Sequence, residues 1–398
     1  MAKTELDRRR RQIHKQNELK SDFQNRKVIK ILVSSVDYAI LMDTILLVLF
    51  GVIMVFSSSY YSAGTKEASN YDIYFYLKKQ TLWAAIGFMS MYFVSNFNYL
   101  KLKKIVIPFY VFCNICLVLV LFIGRTVNGA KRWLQIGPIG FQPSEVSKLA
   151  MILFLSYFIT EHKKILTTWK GFFLCSIIVA VPTALTAVEN MSTAIIIAII
   201  GMSVIFVASP RIIYFVVAAF VGASGIVAML LGGKSFRMGR IEAWKDPFSD
   251  PMNKGYQTIQ SLYAIASGGL FGLGLGQSRQ KLGYIPEGHN DIIFAIICEE
   301  LGLFGAVLLI TLFIILIWRG VKIAMNATDL FGCLIVSGII VMIAIQVILN
   351  IAVVTNTIPN TGVPLPFISY GGTSLLFMMT SVGIVLNISR YSKEERIR

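Results

Sequence analysis

The chain has 398 residues, 56% of them hydrophobic and only 15% charged. A soluble domain would be roughly 45–50% apolar and about 25% charged, so a water-soluble globular protein is excluded. The formal charge of +16 could suit nucleic acid, but where the cations fall argues for membrane topology instead.

The first 36 residues are a polar, basic arm that includes Arg8, Arg9, Arg10 and Arg11. It is too long for a signal-peptide n-region, and the apolar run after it has full span length, so no cleavable signal is expected. The arm reads as an orientation signal that could touch anionic lipid. About ten apolar runs then follow, each near the roughly 20 residues needed to span a bilayer. The predicted spans are 38–58, 80–97, 105–123, 145–160, 171–188, 193–208, 212–232, 292–317, 331–354 and 372–389. Continuous apolar runs satisfy their backbone within helices, whereas barrel strands would alternate. The fold class is therefore an all-α polytopic membrane protein with a long extracytoplasmic loop between helices 7 and 8. With the arm placed inside, the short cytoplasmic loops carry Lys101, Lys103 and Lys104, then Lys163, Lys164 and Lys170, then Arg211, then Arg319 and Lys322. A basic tail at 391–398 completes the positive-inside pattern. The membrane domain is 37–390, both termini lie in the cytoplasm, and no nucleic-acid partner is expected.

Three segments fall outside. Residues 124–144 are rich in Gly and Pro, with Lys131 and Arg132 adjacent. Residues 233–291 are long and polar, and loops of this length in a compact fold are usually functional or disordered. Within them lies SLYAIASGGLFGLGLG (261–276), too short and Gly-rich to span. It predicts an interfacial or re-entrant helix. Its glycines read as close packing rather than a nucleotide loop, since no strand precedes them. Residues 355–371 hold three prolines, which forbid a regular helix. Irregular backbone at membrane depth is tolerated only beside protein or a wet cavity.

Ionisable groups in or near spans are functional candidates by default. These are Asp43, Glu145, Lys148, Glu189, Asp291, Glu299 and Glu300. Glu145 and Lys148 share a helix face, although Glu145 could simply favour the dipole of a helix begun by Pro143. Asp291 could be an N-cap or a functional carboxylate. Glu299 lies about 12 Å deeper along the same helix and could line one cavity with it, while Glu300 points more nearly away. The outside cations Lys131, Arg132, Arg237, Arg240, Lys245, Arg279 and Lys281 run against the topological bias. They are either solvated loop charges or a cationic mouth for an anionic, lipid-linked substrate. All five cysteines sit in apolar runs, as small buried hydrophobes. The three histidines show no metal-ligand spacing.

The stretches NGAKRWLQIGPIGFQPSEVSKLA (128–150), GYQTIQSLYAIASGGLFGLGLGQSRQKLGYIPEGHNDIIFAIICEELG (255–302) and PNTGVPLPFISYGGTSLL (359–376) resemble the SEDS family. These are the FtsW, RodA and SpoVE proteins of division, elongation and sporulation, and GVPLPFISYGGTS looks more like the FtsW and SpoVE branch. The resemblance implies a peptidoglycan glycosyltransferase. Such an enzyme polymerises lipid II on the outer face of the bacterial cytoplasmic membrane, beside a class B penicillin-binding protein. The family's P-E-x-H-x-D motif matches Pro286, Glu287, His289 and Asp291, which makes Asp291 the catalytic carboxylate. Its F-Q-P-S-E-x-x-K matches Glu145 and Lys148, and its K/R-R-W cation matches Arg132. The expected substrate-binding set is Lys131, Arg132, Glu145, Lys148, Arg240, Lys281, His289, Glu299 and Ser369. Two departures stand out. Asn290 replaces the usual Thr, and Glu189-Asn190-Met191-Ser192-Thr193 stands where P-D-x-G-T is common, so Glu189 could replace that acid.

The implied chemistry needs a base and a positive clamp, because pyrophosphate leaves readily. Asp291 would take the proton of a sugar hydroxyl while Arg132, Lys148, Arg240 and Lys281 hold the pyrophosphate. No cofactor is certain, and a divalent cation could share the work. A lipid II flippase would need ionisable groups at mid-membrane, which Asp43, Glu299 and Glu300 could supply. A noncatalytic scaffold for the transpeptidase is the third reading.

Overall fold

The computed structural model describes residues 36–391 apart from 128–129, 137–138, 163 and 232–234. The basic arm up to residue 35, the tail beyond Tyr391, Lys163 and the side chain of Arg237 lie outside the described residues.

Twelve α-helices form among the described residues. In chain order they are α1 Tyr38–Thr65, α2 Phe75–Asn96, α3 Val106–Ile123, α4 Pro143–Glu161, α5 Trp169–Ala187 and α6 Met191–Ala208. There follow α7 Ile213–Leu231, α8 Ser235–Lys245, α9 Tyr256–Gly268, α10 Ile293–Asn326, α11 Leu330–Val354 and α12 Gly372–Ser389. Each predicted span coincides with one of these helices, and the additional pair, α8 and α9, lies in the long 233–291 segment. By length and composition, α1, α3, α5, α6, α10, α11 and α12 can each cross a membrane.

Both faces of these helices are apolar. On α1, Met42, Leu46, Leu49 and Ile53 point outward at helical spacing, while Leu47, Val48, Met54 and Val55 are buried. A helix apolar all round belongs in a large core or in lipid. At the centre, every residue of α4 from Pro143 to Leu153 is buried. It packs on α3, α5, α6 and α11, while α12 lies along α2, and α10 lies against α1, α9 and α11.

The all-α expectation meets one exception. Residues 124–141 form a small antiparallel sheet of β1 Arg125–Val127, β2 Ala130–Ile136 and β3 Ile139–Phe141, in that order. Lys131 pairs with Thr126, and Leu134 with Phe141. An Asn-Gly pair at 128–129 is a strong hairpin signal.

The Gly-rich run after α9 is inserted into α10. At Gly302 (φ 65°, ψ −163°) the helix breaks. The amides of Leu303 and Phe304 would ordinarily donate to the carbonyls of Glu299 and Glu300, four residues back. They donate instead to the carbonyls of Gly269 and Leu270, at 2.9 and 3.0 Å. The freed Glu299 and Glu300 carbonyls accept from Leu273 and Gly274, both at 2.9 Å. Two helical bonds are thus exchanged for four across the insertion. The break at Gly302 lies eleven residues, about 16 Å, along the helix direction from Asp291, a re-entrant loop at that depth. The approach requires glycine on both sides, since a Cβ on Gly302 would stand 2.3 Å from the Gly272 nitrogen and one on Gly272 2.1 Å from the Glu300 oxygen.

Gly302→Ala is therefore expected to destabilise the protein by at least about 1–3 kcal/mol from backbone strain alone. Gly225→Ala in α7, where a Cβ meets nothing within 4 Å, should not. Thermal unfolding in detergent, followed by loss of monodisperse protein, checks the pair; equal melting temperatures would contradict the inserted-loop geometry.

Candidate active site

The α10 helix starts at a corner where three irregular segments meet. Its cap position is Ile292, with no side-chain cap bond. Asp291 is thus not serving as an N-cap, and its carboxylate is left for other work. What holds it is backbone. The Asn350 amide, from within α11, donates to the Asp291 carbonyl at 2.7 Å and to the Val363 carbonyl at 2.8 Å. The Ser369 hydroxyl donates to the Asn290 carbonyl at 2.6 Å and accepts from the Leu365 amide at 2.8 Å. The Tyr370 amide donates to the His289 carbonyl at 2.9 Å. Residues 359–371 therefore form the wall against which 289–291 is pinned. Phe367, buried in that wall, sits in the left-handed region at φ 64°, a strain of about 1–3 kcal/mol that persists only where surroundings impose it. Gly362 lies so close to Asp291 that a Cβ there would contact Oδ2 at 3.4 Å.

Asp291 keeps partial access to the surface, yet protein surrounds it closely. Burial pushes its carboxyl above the ordinary aspartate range. Its own amide opposes the rise, the Glu287 carboxylate adds to it, and the Arg240 guanidinium opposes it. Arg240 in turn is lowered by burial and by nearby Arg132, with Asp291 pulling the other way. Asp291, Arg240 and Arg132 thus share one electrostatic neighbourhood, although they come from three distant segments. Arg240 reaches it by donating to the Asn360 carbonyl at 3.2 Å. Arg132 is placed by Glu189, whose carbonyl accepts from Nε at 3.2 Å and whose carboxylate accepts from the Lys131 amide at 3.0 Å. Glu189 therefore binds the cation-bearing strand β2 to the α5–α6 turn. Burial pushes Arg132 down, and Glu189 opposes the shift.

The other expected contacts lie elsewhere. Glu145 and Lys148 do pair, at 2.8 Å and 8% and 2% exposed, and Ser374 of α12 donates to Glu145 at 2.9 Å. Glu145 stands in the first turn of α4 behind Pro143, so the dipole reading and the pair reading hold together. Lys131 turns its ammonium to the carbonyls of Leu121 and Phe122 at the end of α3. Lys281 is not at the cationic mouth. Its Nζ is buried 2.6 Å from Glu300, because an ammonium at that depth needs a carboxylate. Glu299 does not line a cavity with Asp291 either. It binds Ser278 and the amides of Arg279 and Gln280, because loop amides without water seek an acceptor. His289 is 3% exposed, packed between Tyr76, with ring centres 4.2 Å apart, and Tyr370 at 5.6 Å. Burial, with Lys66 adding, pushes its imidazole down to about 4, so it is neutral at physiological pH and supplies no charge to an anion. Ser369 is likewise committed to backbone.

Sequence reasoning missed Asn350 and Asn360, which set the corner. The signal was there for Asn350, which with Gln346 one turn earlier is an amide in an otherwise apolar run. It named Glu287 in a motif but gave it no role, and the structure sets it beside Asp291 with Asn290 donating to its carboxylate at 2.9 Å. At the other end of the bundle, an open hollow of about 860 Å³ is lined by Lys103, Glu161, His162, Lys164 and Asp329, away from all of this.

The model of the FtsW, RodA and SpoVE family of cell cycle proteins matches residues 38–394. The chain belongs to that family. Stage V sporulation protein E of Bacillus subtilis (strain 168) is 43% identical over 364 residues, covering 90% of this chain and 98% of that one. A probable peptidoglycan glycosyltransferase FtsW of Geobacter sp. (strain M18) is 38% identical over 361 residues, covering 90% and 97%. Among solved structures, one describing the coordination of polymerization and crosslinking by a peptidoglycan synthase complex superposes with TM-score 0.74 at 26% identity, over 89% of this chain and 98% of that one. The rod shape determining protein RodA of Thermus thermophilus shares the fold at TM-score 0.66 and 24% identity, over 90% and 98%. Membership in the family fits the membrane helices, which make this a multi-pass membrane protein.

Breaking the Glu145–Lys148 pair of this family member leaves a buried ammonium with no partner. Glu145→Gln should cost about 3–5 kcal/mol, and Glu145→Gln/Lys148→Met should recover most of it. Detergent melting curves of the two variants check this; equal losses would mean the cost does not come from the unpaired Lys148 ammonium.

Proposed function

We propose that this chain is a peptidoglycan glycosyltransferase that joins lipid II units into glycan strands at the outer face of the bacterial cytoplasmic membrane, in division or sporulation. Both termini then lie in the cytoplasm, and the Asp291 corner opens on the extracytoplasmic side. The observation that carries the reading is a closely surrounded carboxylate, Asp291, within the field of Arg240, which in turn neighbours Arg132.

The acceptor's GlcNAc 4-hydroxyl attacks C1 of the donor's MurNAc. Asp291 takes the hydroxyl proton. The C1–O bond to the diphosphate breaks, and Arg132 and Arg240 hold the charge that develops on the departing polyprenyl diphosphate. One displacement inverts the α-linked donor to a β-1,4 product, as a single displacement inverts in other sugar transfers. A raised carboxyl suits a base that must hold the proton it takes, and the Arg240 guanidinium opposes the rise. Lys148 lies farther in, neutralised by Glu145. Among the described residues no three His, Cys, Asp or Glu side chains group as a metal-ligand set. A divalent cation shared between the diphosphate and one carboxylate would add to that charge stabilisation. A class B penicillin-binding protein is the proposed partner, crosslinking the strands. The flippase alternative loses two of its three mid-membrane carboxylates, Glu299 and Glu300, to internal bonds, and keeps Asp43, buried in α1 with neither carboxylate oxygen hydrogen-bonded.

Asp291→Asn should abolish polymer formation from purified lipid II while the protein stays monodisperse. A gel of labelled glycan, with and without a class B partner, reads this directly, and full activity would remove the base assignment. The pH profile gives a second check. An ionised base with a raised pKa loses activity on acidification above the ordinary aspartate value of about 3.9. Glu287→Gln removes a charge that raises Asp291 and should move that acid limb to lower pH. Arg240→Met removes a charge that lowers it and should move the limb up. Limbs that do not move in these directions would separate the pH dependence from Asp291.

A further inference from the structure

Between the re-entrant loop and Asp291 the chain is clamped a second time, by charge. Glu300 accepts from the Gly276 amide at 3.0 Å and from the Ser57 hydroxyl of α1 at 2.6 and 2.7 Å. Lys281 donates to Glu300 at 2.6 Å and to Ser57 at 3.1 Å, over the Tyr60 ring at 4.8 Å. Neither charged side chain has any exposed surface. Two residues on, a Cβ at Gly283 would touch Tyr61. The loop, the broken helix α10 and α1 therefore meet at one ion pair, and none of its groups faces the Asp291 corner.

From Lys281 the chain runs ten residues to Asp291 with few bonds of its own. Ile285 closes a turn on Gln280 at 2.8 Å, and Asn290 one on Glu287 at 2.9 Å. The segment is held at its far end by Asn350 and Ser369 and at its near end by Lys281. A buried ion pair is a poor source of net stability compared with apolar packing of the same volume. It does, however, fix two segments in one geometry.

We propose that Lys281 and Glu300 are positioning residues, which through Ser57 hold the 282–291 segment so that Asp291 stands at the right height for proton transfer. This rests on Asp291 being the base. It also assigns Lys281 a role distinct from contact with the substrate diphosphate.

The test compares Lys281→Met, Glu300→Gln and the double variant with the native protein, in detergent, on labelled lipid II. The single variants leave one buried charge unpaired and can fail to fold. The double variant removes both charges and keeps the shape, so it carries the test. The double variant should be as monodisperse as the native protein. Its kcat should fall by about tenfold to a hundredfold, the scale of a misplacement of ~1 Å, with KM for lipid II little changed. Hydrogen exchange should quicken at the amides of Gly276, Arg279 and Gln280. Native kcat in the double variant overturns the proposal, and so does a loss confined to KM, which would make Lys281 a substrate contact. Asp291→Asn runs alongside. If native protein makes no polymer with or without a class B partner, the glycosyltransferase reading fails; if Asp291→Asn makes polymer, the base assignment on which this proposal rests fails. The exchange measurement then still decides whether the pair holds the loop, and unchanged exchange overturns that as well.

Discussion

A backbone amide below the surface of a bilayer has no water to bond with, so every departure from helix must be met by another part of the protein. The chain departs from helix in two places that matter. At Gly302 the break in α10 is met, carbonyl for carbonyl and amide for amide, by residues 269–274. At 359–371 the irregular strand of chain is met by Asn350, Ser369 and the backbone of 289–291. The candidate active site lies between these two solutions. The segment carrying Asp291 runs between them and is pinned by the second.

The same low dielectric sorts the charges. Glu145 with Lys148 within α4, joined to α12 through Ser374, and Glu300 with Lys281, joining α10 to the loop before it, are closed pairs. Glu299 spends its charge on loop amides, and Glu189 on the strand that carries Arg132. What is left at the Asp291 corner is a carboxylate raised by burial and two arginines that are lowered by it. Charges that are already paired add rigidity, whereas charges that face one another across accessible space can respond to a substrate.

Geometry also explains why the chemistry can be shared out so simply. The diphosphate of a lipid-linked sugar needs positive charge at the membrane mouth, and its prenyl chain needs apolar surface below. Around the re-entrant loop, Leu270, Phe271, Leu273 and Leu275 are exposed near the depth of Gly302. Arg132 and Arg240 share the electrostatic neighbourhood of Asp291.

Local sequence determined a good deal. Long apolar runs bounded by polar segments placed the ten principal helices, because hydropathy and helix formation are properties of contiguous residues. The Glu145–Lys148 pair was legible for the same reason, being one helical turn. Motif resemblance pointed to Asp291 and Arg132. Tertiary structure alone decided which charges meet. Lys281 and Arg240 look alike as outside cations, yet one is buried against Glu300 and the other stands beside Asp291. Nothing local distinguishes them, since the partners come from segments far apart in the chain. The loop inserted at Gly302 was likewise invisible. A glycine in an apolar helical run looks like packing until a second backbone is found to occupy its hydrogen bonds.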